Sequence, residues 1–363
     1  MDSALYILYK NPLGGSMTET SRHSKLREAR THVPAHLTKP REHISIAYLL
    51  RDISLYILLV VLLWNTENIA LLIPLWILTG LTISGLFVLG HDAAHGSFLQ
   101  GKRKNYLAGQ LAMIPSLHAF GQWVYGHNRV HHGHTAKIGA DFIWQPVSPQ
   151  EYRSYSPVKK VLHRIYWSPL GAGPYYLWEI WAKGMLLFTA PGKGVRRDKA
   201  IVLIAMISMI TISVWGGGYT AQGYSLAAGG ATFLRVFAIP FIIWNYIMGA
   251  TVYVQHIHPN IAWRPGKKWT SFHGQIESTA TYIVPAWYNF FLHNIYVHVP
   301  HHIHMKIPFY HLPAAYKVLK NVYGPTLHES NRLFRDYLKI TKKCKLYAPS
   351  TEKWCTYKEA TQA

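Results

Sequence analysis

The sequence is short of charge, and of negative charge above all. Only 15% of its 363 residues are charged, and 37 Lys and Arg residues stand against 16 Asp and Glu residues. Half of the residues are hydrophobic, which is typical of a membrane protein rather than of a soluble domain. The two cysteines, Cys344 and Cys355, form no CxxC pair. The sequence therefore indicates neither a disulfide framework nor a cysteine-ligated zinc site.

Signals of targeting and of repetition are also missing. The chain does not open on a basic region followed by a sustained apolar core, so we expect no signal peptide and a cytosolic N-terminus. We find no repeat, long linker or low-complexity tract. The sequence predicts a polar cytosolic tail over residues 1–44, one integrated domain over 45–347 and a C-terminal tail over 348–363.

Long apolar stretches are present, and four of them predict membrane spans at about 49–64, 68–90, 200–215 and 231–254. The second has 23 residues and no charge. At about 1.5 Å per residue it extends about 34 Å, enough to cross the core of a bilayer. Near the start of the first span, Arg51 is expected to pair with Asp52 or to reach the interface.

Two further apolar stretches, 106–125 and 166–187, are broken by Pro and Gly. We expect them to form interfacial or re-entrant helices.

The distribution of basic residues orients the predicted spans. With a cytosolic N-terminus, segments 1–52, 91–199 and 255–363 lie on the cytosolic side and hold 36 of the 37 Lys and Arg residues. Arg235 is the exception. This is the positive-inside bias in strong form. It explains the net charge of +21 without nucleic acid, because a basic cytosolic face suits anionic headgroups and acidic soluble partners.

Histidine is abundant, with 22 residues, and three groups fall at the predicted cytosolic membrane surface: GHDAAH, GHNRVHHGHT and HVPHH. Side chains three or four residues apart share one face of an α-helix. His127 and His131 therefore share a face, whereas His132 needs a local irregularity to join them. The eight histidines singled out are His91, His95, His127, His131, His132, His298, His301 and His302.

Clustered histidines of this kind indicate metal binding. Eight imidazoles are too many for one tetrahedral zinc ion, and two metals with about four histidines each fit the number. Nitrogen-rich sites suit iron, copper, nickel or zinc. The HExxH signature of zinc proteases is absent, because Asp92 follows His91.

The three groups also resemble a known family. HDAAHGS, HNRVHH and HVPHH look like the three histidine boxes of the membrane fatty-acid desaturase superfamily, and most of all those of acyl-lipid desaturases of the Δ12/ω3 group. The segments HTAKIGADFIWQPVSPQEY, QHIHPNIAWRPGKKW and HNIYVHVPHHIHMKIPFYHLPAAYKVLKNVYGP are similar to the corresponding family segments. The resemblance extends over residues 87–347.

The resemblance implies an all-α integral membrane protein with four transmembrane helices and a cytosolic helical cap that carries a histidine-rich dimetal site. It implies two non-haem iron ions, O₂ and two electrons from a small carrier such as ferredoxin, which together introduce a cis double bond into the acyl chain of a membrane lipid. Its ligands carry over to the eight box histidines, which are also the catalytic residues. In QHIHP the additional family ligand matches His256, with His258 as its rival.

Several assignments stay open at this point. HNRVHH has three residues before the paired histidines where many relatives have two, which puts His127 in more doubt than its neighbours. His293 and Asn294 precede the third box, and structural roles are favoured over ligation for both. Asp92 and Asp141 are candidates for accepting a hydrogen bond from the second ring nitrogen of a ligand. Surface or supporting positions are expected for His118, His134, His273, His304 and His311.

Two other functions compete with desaturation. A membrane hydroxylase or ketolase acting on lipid or carotenoid would share the boxes, although RPGKKW and IPFY favour the desaturase. A metal transporter would need ionisable groups within the spans, which hold few. No fused cytochrome b5 motif (HPGG) occurs, so we expect a separate electron donor. A bacterial inner membrane or a thylakoid-type membrane is the expected location.

Overall fold

The protein is built almost entirely of helices, as predicted, in a computed structural model that describes residues 19–362. Within this part of the chain, four helices are long and apolar enough to cross a membrane. They are the first span Glu42–Asn65, the second span Ile69–His95, the third span Val195–Gly216 and the fourth span Leu226–His256. Each predicted span falls on one of these helices, which reach beyond the predicted bounds except at the start of the second span, where the helix begins one residue later.

The second span is the most deeply buried of the four. Asn68 caps its first turn, where the side-chain oxygen accepts a hydrogen bond from the backbone of Ala70 at 2.9 Å. Gly96 ends it in the left-handed conformation, with φ of 65°, which suits a residue without Cβ. The helix is thus long enough to carry His91 and His95 in its last turns, beyond the uncharged stretch.

The fourth span packs closely against the second. A Cβ on Gly80 of the second span would lie 2.6 Å from the Ile243 side chain, so glycine permits the approach. The fourth span comprises Leu226–Phe233, the π-helical turn Leu234–Ala238 and Ile239–His256. Its last residue, His256, lies beside His131 and His302, with ring centroids 4.6 and 5.1 Å apart.

Shorter elements surround the spans. The other α-helices are Glu19–Thr31, Lys102–Met113, Phe120–Trp123, His132–His134, Pro149–Ser154, Pro157–Tyr166, Ala172–Tyr175, Ala286–Leu292, His298–Ile303, Leu312–Tyr323, Leu333–Lys343 and Tyr357–Gln362. The third span consists of Val195–Thr211 and the π-helical turn Ile212–Gly216. Further π-helical segments are Val124–His131, Tyr176–Leu187 and His273–Glu277, and the 3₁₀ turns are Ala35–Thr38, Gly266–Lys268, Phe309–His311 and Gly324–Thr326.

Strands are few and short in residues 19–362. Two pairs are parallel, Lys137–Ile138 with Arg264–Pro265 and Ala280–Tyr282 with His328–Ser330. Two pairs are antiparallel, Tyr219–Thr220 with Gly223–Tyr224 and Leu346–Ala348 with Lys353–Cys355. Both parallel pairs join segments far apart in sequence, and each involves a segment that follows the fourth span.

Charged groups within the spans have partners. Arg51 and Asp52 pair, with Nε and Oδ1 2.8 Å apart, which settles the two alternatives in favour of the ion pair. Arg235 on the fourth span donates a hydrogen bond to the backbone oxygen of Trp64 at 2.9 Å. None of these three charged side chains is therefore left without a polar contact.

Parts of both predicted tails pack onto the domain. In the N-terminal segment, the side chains of Leu26 and Ala29 are buried, and Arg30 Nε donates to the backbone oxygen of Ile303 at 2.8 Å. The rest of the predicted N-terminal tail, residues 1–18, lies outside the described residues. Near the C-terminus, Trp354 is buried, and its indole nitrogen donates to the backbone oxygen of Ile261 at 2.9 Å.

We predict that Gly249→Ala destabilises the protein. An added Cβ would lie 2.2 Å from the backbone oxygen of Ala172, so the fourth span would have to move away from the helix at Ala172. Overpacking of this kind costs about 1–3 kcal/mol. The matched control is Gly230→Ala on the same span, where a Cβ meets nothing within 4 Å. Thermal unfolding of the purified protein in detergent should show a lower midpoint for Gly249→Ala alone, and equal midpoints would contradict the packing.

Candidate metal centre

Four separate segments bring their histidines into one buried region. They are the end of the second span, the π-helical segment Val124–His131 with the turn that follows it, the last residue of the fourth span, and the short helix His298–Ile303. All nine histidines predicted as ligands are buried there: His91, His95, His127, His131, His132, His256, His298, His301 and His302.

The first cluster contains five imidazoles, whose ring nitrogens approach one another closely. It consists of His91, His95, His127, His132 and His301. The Nε2 atom of His127 lies 2.8 Å from that of His91 and 3.2 Å from that of His132. His132 Nε2 is in turn 3.0 Å from His301 Nε2. The second and third boxes therefore meet the first box at this point.

The second cluster lies directly beside the first. His131, His256 and His302 form its core. His298 joins them, since its Nε2 atom lies 2.9 Å from that of His302 and 3.1 Å from that of His256. The two clusters touch where the rings of His132 and His302 stack, with centroids 4.3 Å apart.

A π-helix decides how the second box divides between the clusters. In Val124–His131 the backbone N–H of His132 donates to the oxygen of His127, five residues earlier. This hydrogen bond brings side chains five apart onto one side. His127 and His132 therefore share the first cluster, whereas His131 joins the second. The expected irregularity is this turn, and the pairing of His127 with His131 expected from α-helical spacing is not what the structure shows.

His127 lies at the middle of the first cluster despite the unusual spacing of its box. Its ring stacks on the buried indole of Trp123, with centroids 4.7 Å apart and an interplanar angle of 12°. Asn128 next to it donates to the backbone oxygen of Ala94 at 2.8 Å, which ties the second box to the first. HNRVHH has three residues between His127 and the paired histidines where many relatives have two. The π-helical turn accommodates this additional residue.

The arrangement of ring nitrogens fits metal ions. Each Nε2 atom carries either one hydrogen or one lone pair, so hydrogen bonds satisfy at most some of the contacts among five converging Nε2 atoms. Nitrogens about 2.1 Å from one metal ion are about 3.0–3.4 Å apart at ordinary coordination angles. The separations of 2.8–3.3 Å in the first cluster are close to this range. Neither cluster contains a carboxylate or a cysteine, which favours metals that bind imidazole over Mg²⁺ or Ca²⁺.

The charge state of the imidazoles also suits metal binding. Burial lowers the pKa of His127, His132 and His301 well below the usual value of histidine, and the neighbouring imidazoles lower it further. Burial also lowers the pKa of His302 in the second cluster. These rings are therefore neutral at physiological pH, and a neutral imidazole offers the lone pair that a metal needs.

Two polar residues outside the second cluster each contact one of its histidines. The Asp141 carboxylate accepts a hydrogen bond from His131 Nδ1 at 3.0 Å and is itself fixed by the backbone N–H groups of Ala136 and Ile143. Gln275 Oε1 lies 2.7 Å from His302 Nδ1. Asp141 was a candidate from the sequence, but Gln275 was missed, because a lone glutamine 23 residues before the third box carries no spacing signal.

The other candidate, Asp92, has a different contact. Its Oδ2 atom accepts a hydrogen bond from the backbone N–H of Phe309 at 2.7 Å. Its Oδ1 atom is 3.5 Å from His91 Nδ1, and the ring nitrogen makes no hydrogen bond. Asp92 thus joins the second span to the segment that follows the third box.

The structure places each of the remaining candidate residues either inside or outside the two clusters. His256 lies in the second cluster, whereas His258 packs beside His328 and accepts a hydrogen bond from the backbone of Asn260. His293 lies 2.5 Å from Asp52, so the structural role favoured for it is what the structure shows. Asn294 bonds with Asn289 and the backbone of Phe309. Outside both clusters lie His118, His134, His273, His304 and His311, of which His118 and His273 are buried.

A small apolar cavity of about 30 Å³ borders both clusters. Its far walls are apolar side chains, among them Phe87, Ile180 and Met248. Thr251 and Gln255 are the polar non-histidine residues of its lining. Histidines of both clusters form its near end: His91, His127, His131, His256 and His298.

Comparison with known proteins agrees with this geometry. A sequence model of the fatty acid desaturase family matches residues 68–332, a range that contains all nine clustered histidines. The chain belongs to the fatty acid desaturase family. It is therefore an oxidoreductase, with a buried histidine-rich site that can hold metal.

Three relatives can be aligned over most of this chain. It is 30% identical over 281 residues to the sn-1 oleoyl-lipid 12-desaturase of Synechocystis sp., an alignment that covers 76% of this chain and 75% of the relative. It is 30% identical over 283 residues to the chloroplastic omega-6 fatty acid desaturase of Arabidopsis thaliana, covering 76% and 59%. It is 27% identical over 334 residues to the sn-1 acyl-lipid omega-3 desaturase (ferredoxin) of Nostoc sp., covering 89% of each chain.

We predict that Asp141→Asn lowers the metal content of the desaturase. The carboxylate orients His131 and raises its basicity, and loss of such a partner typically costs 10–100-fold in metal affinity. Elemental analysis of the protein, purified at limiting free metal, should show one metal retained and the other depleted. Glu151→Gln, which removes an exposed carboxylate ten residues away, is the control. Full metal content together with full activity in Asp141→Asn would refute the prediction.

Proposed function

We propose that this chain is an integral-membrane acyl-lipid desaturase that uses two iron ions, O₂ and two electrons to introduce a cis double bond into a fatty acyl chain. The double bond is of the Δ12 or ω3 type, the types carried by the names of its relatives. The observation that carries the proposal is the pair of adjacent, buried clusters of histidines in a chain of the desaturase family. Imidazole ligands suit iron, and the small apolar cavity beside the clusters marks the side from which a hydrocarbon chain would approach.

The nine clustered histidines are the proposed iron ligands, five in the first cluster and four in the second. Non-haem iron supplies the oxidising power to break an unactivated C–H bond, which side-chain acids and bases lack. All-imidazole surroundings are compatible with iron, and the family membership favours it over copper, nickel or zinc. The catalytic unit lies within residues 45–347, and the eight box histidines are its catalytic residues.

The protein's own share of the reaction is positioning and exclusion of water. The apolar side chains of Phe87, Ile180 and Met248 hold the methylene groups and leave little room for solvent beside the metals. Thr251 and Gln255 are the polar non-histidine groups along the chain's path. In the overall reaction the acyl chain loses two hydrogen atoms. One O₂, with two electrons and two protons from the donor side, becomes two molecules of water.

The proposed partners are a membrane lipid as substrate and a small acidic electron carrier such as ferredoxin as donor. The positive-inside bias supports a cytosolic position of the histidine clusters, in a bacterial inner membrane or a thylakoid-type membrane. Basic charge lies directly above the first cluster. Lys306 is exposed, and its Nζ atom is 3.3 Å from the backbone oxygen of Gly96, the residue after His95. A positive surface at this point attracts an acidic donor.

We predict that expression of the chain changes the fatty acids of a suitable host. The host should be rich in mono-unsaturated membrane lipids and should contain ferredoxin. Mass spectrometry of derivatised esters should then locate a new cis double bond. His301→Ala should abolish it, because His301 belongs to the first cluster. His304→Ala, three residues further on and outside both clusters, is the matched control that keeps it. Absence of a new bond from protein that holds two irons would contradict desaturation.

We also predict that the purified protein binds two iron ions and that each cluster holds one. His127→Ala and His256→Ala should each lower the iron content from two towards one per chain, since each removes a ligand of one cluster. The matched controls are His134→Ala and His258→Ala, which lie close in sequence but outside the clusters. Iron analysis by mass spectrometry measures the result. Equal iron in all four variants would exclude the ligand assignment.

A further inference from the structure

A second apolar cavity lies across the fourth span from the metal cavity. This cavity, here called the lateral groove, has about 410 Å³ and is lined by Ala250 and Val254 of the fourth span, by Tyr296 and by Phe334 and Tyr337 of the helix Leu333–Lys343. Its lining is mostly apolar, and nothing in the metal centre uses it. Its position next to the metal cavity raises the question of how the two are separated.

Two side chains that are hydrogen-bonded to each other, Thr251 and Tyr296, lie between the two cavities. Thr251 and Ile295 line the metal cavity, whereas the residues adjacent to them in sequence, Ala250 and Tyr296, line the lateral groove. Thr251 Oγ1 and Tyr296 OH are 2.9 Å apart, and both residues are buried. Because Thr251 Oγ1 already donates to the backbone oxygen of Ile247, Tyr296 donates in this pair. Tyr296 therefore lies between the lateral groove and the residue that borders the metal cavity.

The outer side of the lateral groove faces an apolar environment. Phe334 is 68% exposed and Leu338 49% exposed at its edge. Leu170, on the opposite edge, is 77% exposed. These are large hydrophobic side chains beside a membrane span, and exposed apolar surface at such a place marks contact with a lipid or another apolar partner.

The helices around the groove have the pattern of helices that lie in a membrane interface. In Leu333–Lys343 the exposed apolar residues share the helix with Lys339, Lys342 and Lys343, which are also exposed. A second short helix, Pro157–Tyr166, exposes Val158 at 78% and carries Lys159 and Arg164. Apolar faces bordered by lysine and arginine bind at the boundary between acyl chains and anionic headgroups. The occupant that fits the groove is therefore a membrane lipid.

We propose that the lateral groove is a portal through which the acyl chain of a bilayer glycerolipid passes, past the Thr251–Tyr296 pair, into the metal cavity. The headgroup stays outside beside the lysines of Leu333–Lys343, and the chain slides in laterally without leaving the membrane. This inference rests on the proposed desaturase function for its purpose, but binding of the chain in the groove does not depend on the metals. It names a bilayer lipid, rather than a soluble thioester, as the source of the substrate.

The first test measures binding alone. The full-length protein, in metal-free form, is reconstituted into phosphatidylcholine vesicles that contain phosphatidylglycerol with a diazirine in the middle of an oleoyl chain. After irradiation, peptide mass spectrometry should find the label on residues of the groove, such as Tyr288 and Phe334. Labels spread evenly over the lipid-facing sides of the first and third spans, with none in the groove, would overturn the proposal.

Blocking the groove sharpens the test. Ala250→Trp fills it from the fourth span and should lower both the labelling of the groove and desaturation at least tenfold, with wild-type iron content. Ile242→Trp is the matched control, because Ile242 is on the same span, 55% exposed, and outside the groove. Unchanged labelling and activity in Ala250→Trp, or equal losses in both variants, would overturn the portal.

A second variant changes an exposed residue and so leaves the packed interior undisturbed. Phe334→Asp places a charge at the exposed edge of the groove and should lower labelling at least threefold, whereas Val158→Asp on the helix Pro157–Tyr166 should not. Loss in both variants would indicate general membrane detachment and would count against the portal.

If the wild-type groove is labelled but the iron-loaded protein makes no double bond, the proposed function fails while the portal stands. If product forms from a soluble acyl thioester and Ala250→Trp does not affect it, the portal fails while the function stands.

Discussion

The structure depends on bringing nine imidazoles together in one buried region. Ring nitrogens that converge at separations of about 3 Å repel one another unless a proton or a metal ion lies between them. The fold brings these rings together because four segments end at the same point. Close packing of the second and fourth spans at Gly80, and the hydrogen bond from Asn128 to the backbone of the first box, fix where those ends meet.

Rigidity of the centre comes from residues that bind no metal. Asp141 fixes His131, Gln275 fixes His302, and Trp123 supports His127 from behind. Each of these supports is anchored in turn to the backbone or to the core. A site held in this way keeps its geometry when an electron donor docks on one side and a lipid chain enters from the other.

The proposed donor and the proposed substrate chain would approach the centre from different sides. Lys306 lies beside Gly96 at the end of the second span, close to the first cluster, where an acidic donor would dock. The apolar cavity is lined by residues of the second and fourth spans, and the lateral groove lies beyond the fourth span. Separate routes for electrons and hydrocarbon would keep water and charge away from the carbons that react.

From the sequence alone came the class of the fold, the four spans and the eight box histidines of the centre, because apolar length and histidine spacing are local patterns. It did not determine how these residues divide into two clusters, since that depends on the π-helical turn before His132. Nor did it reveal Gln275 or the separation of His256 from His258. Those contacts join residues far apart in the chain, and only the packing of the spans decides which side chains meet.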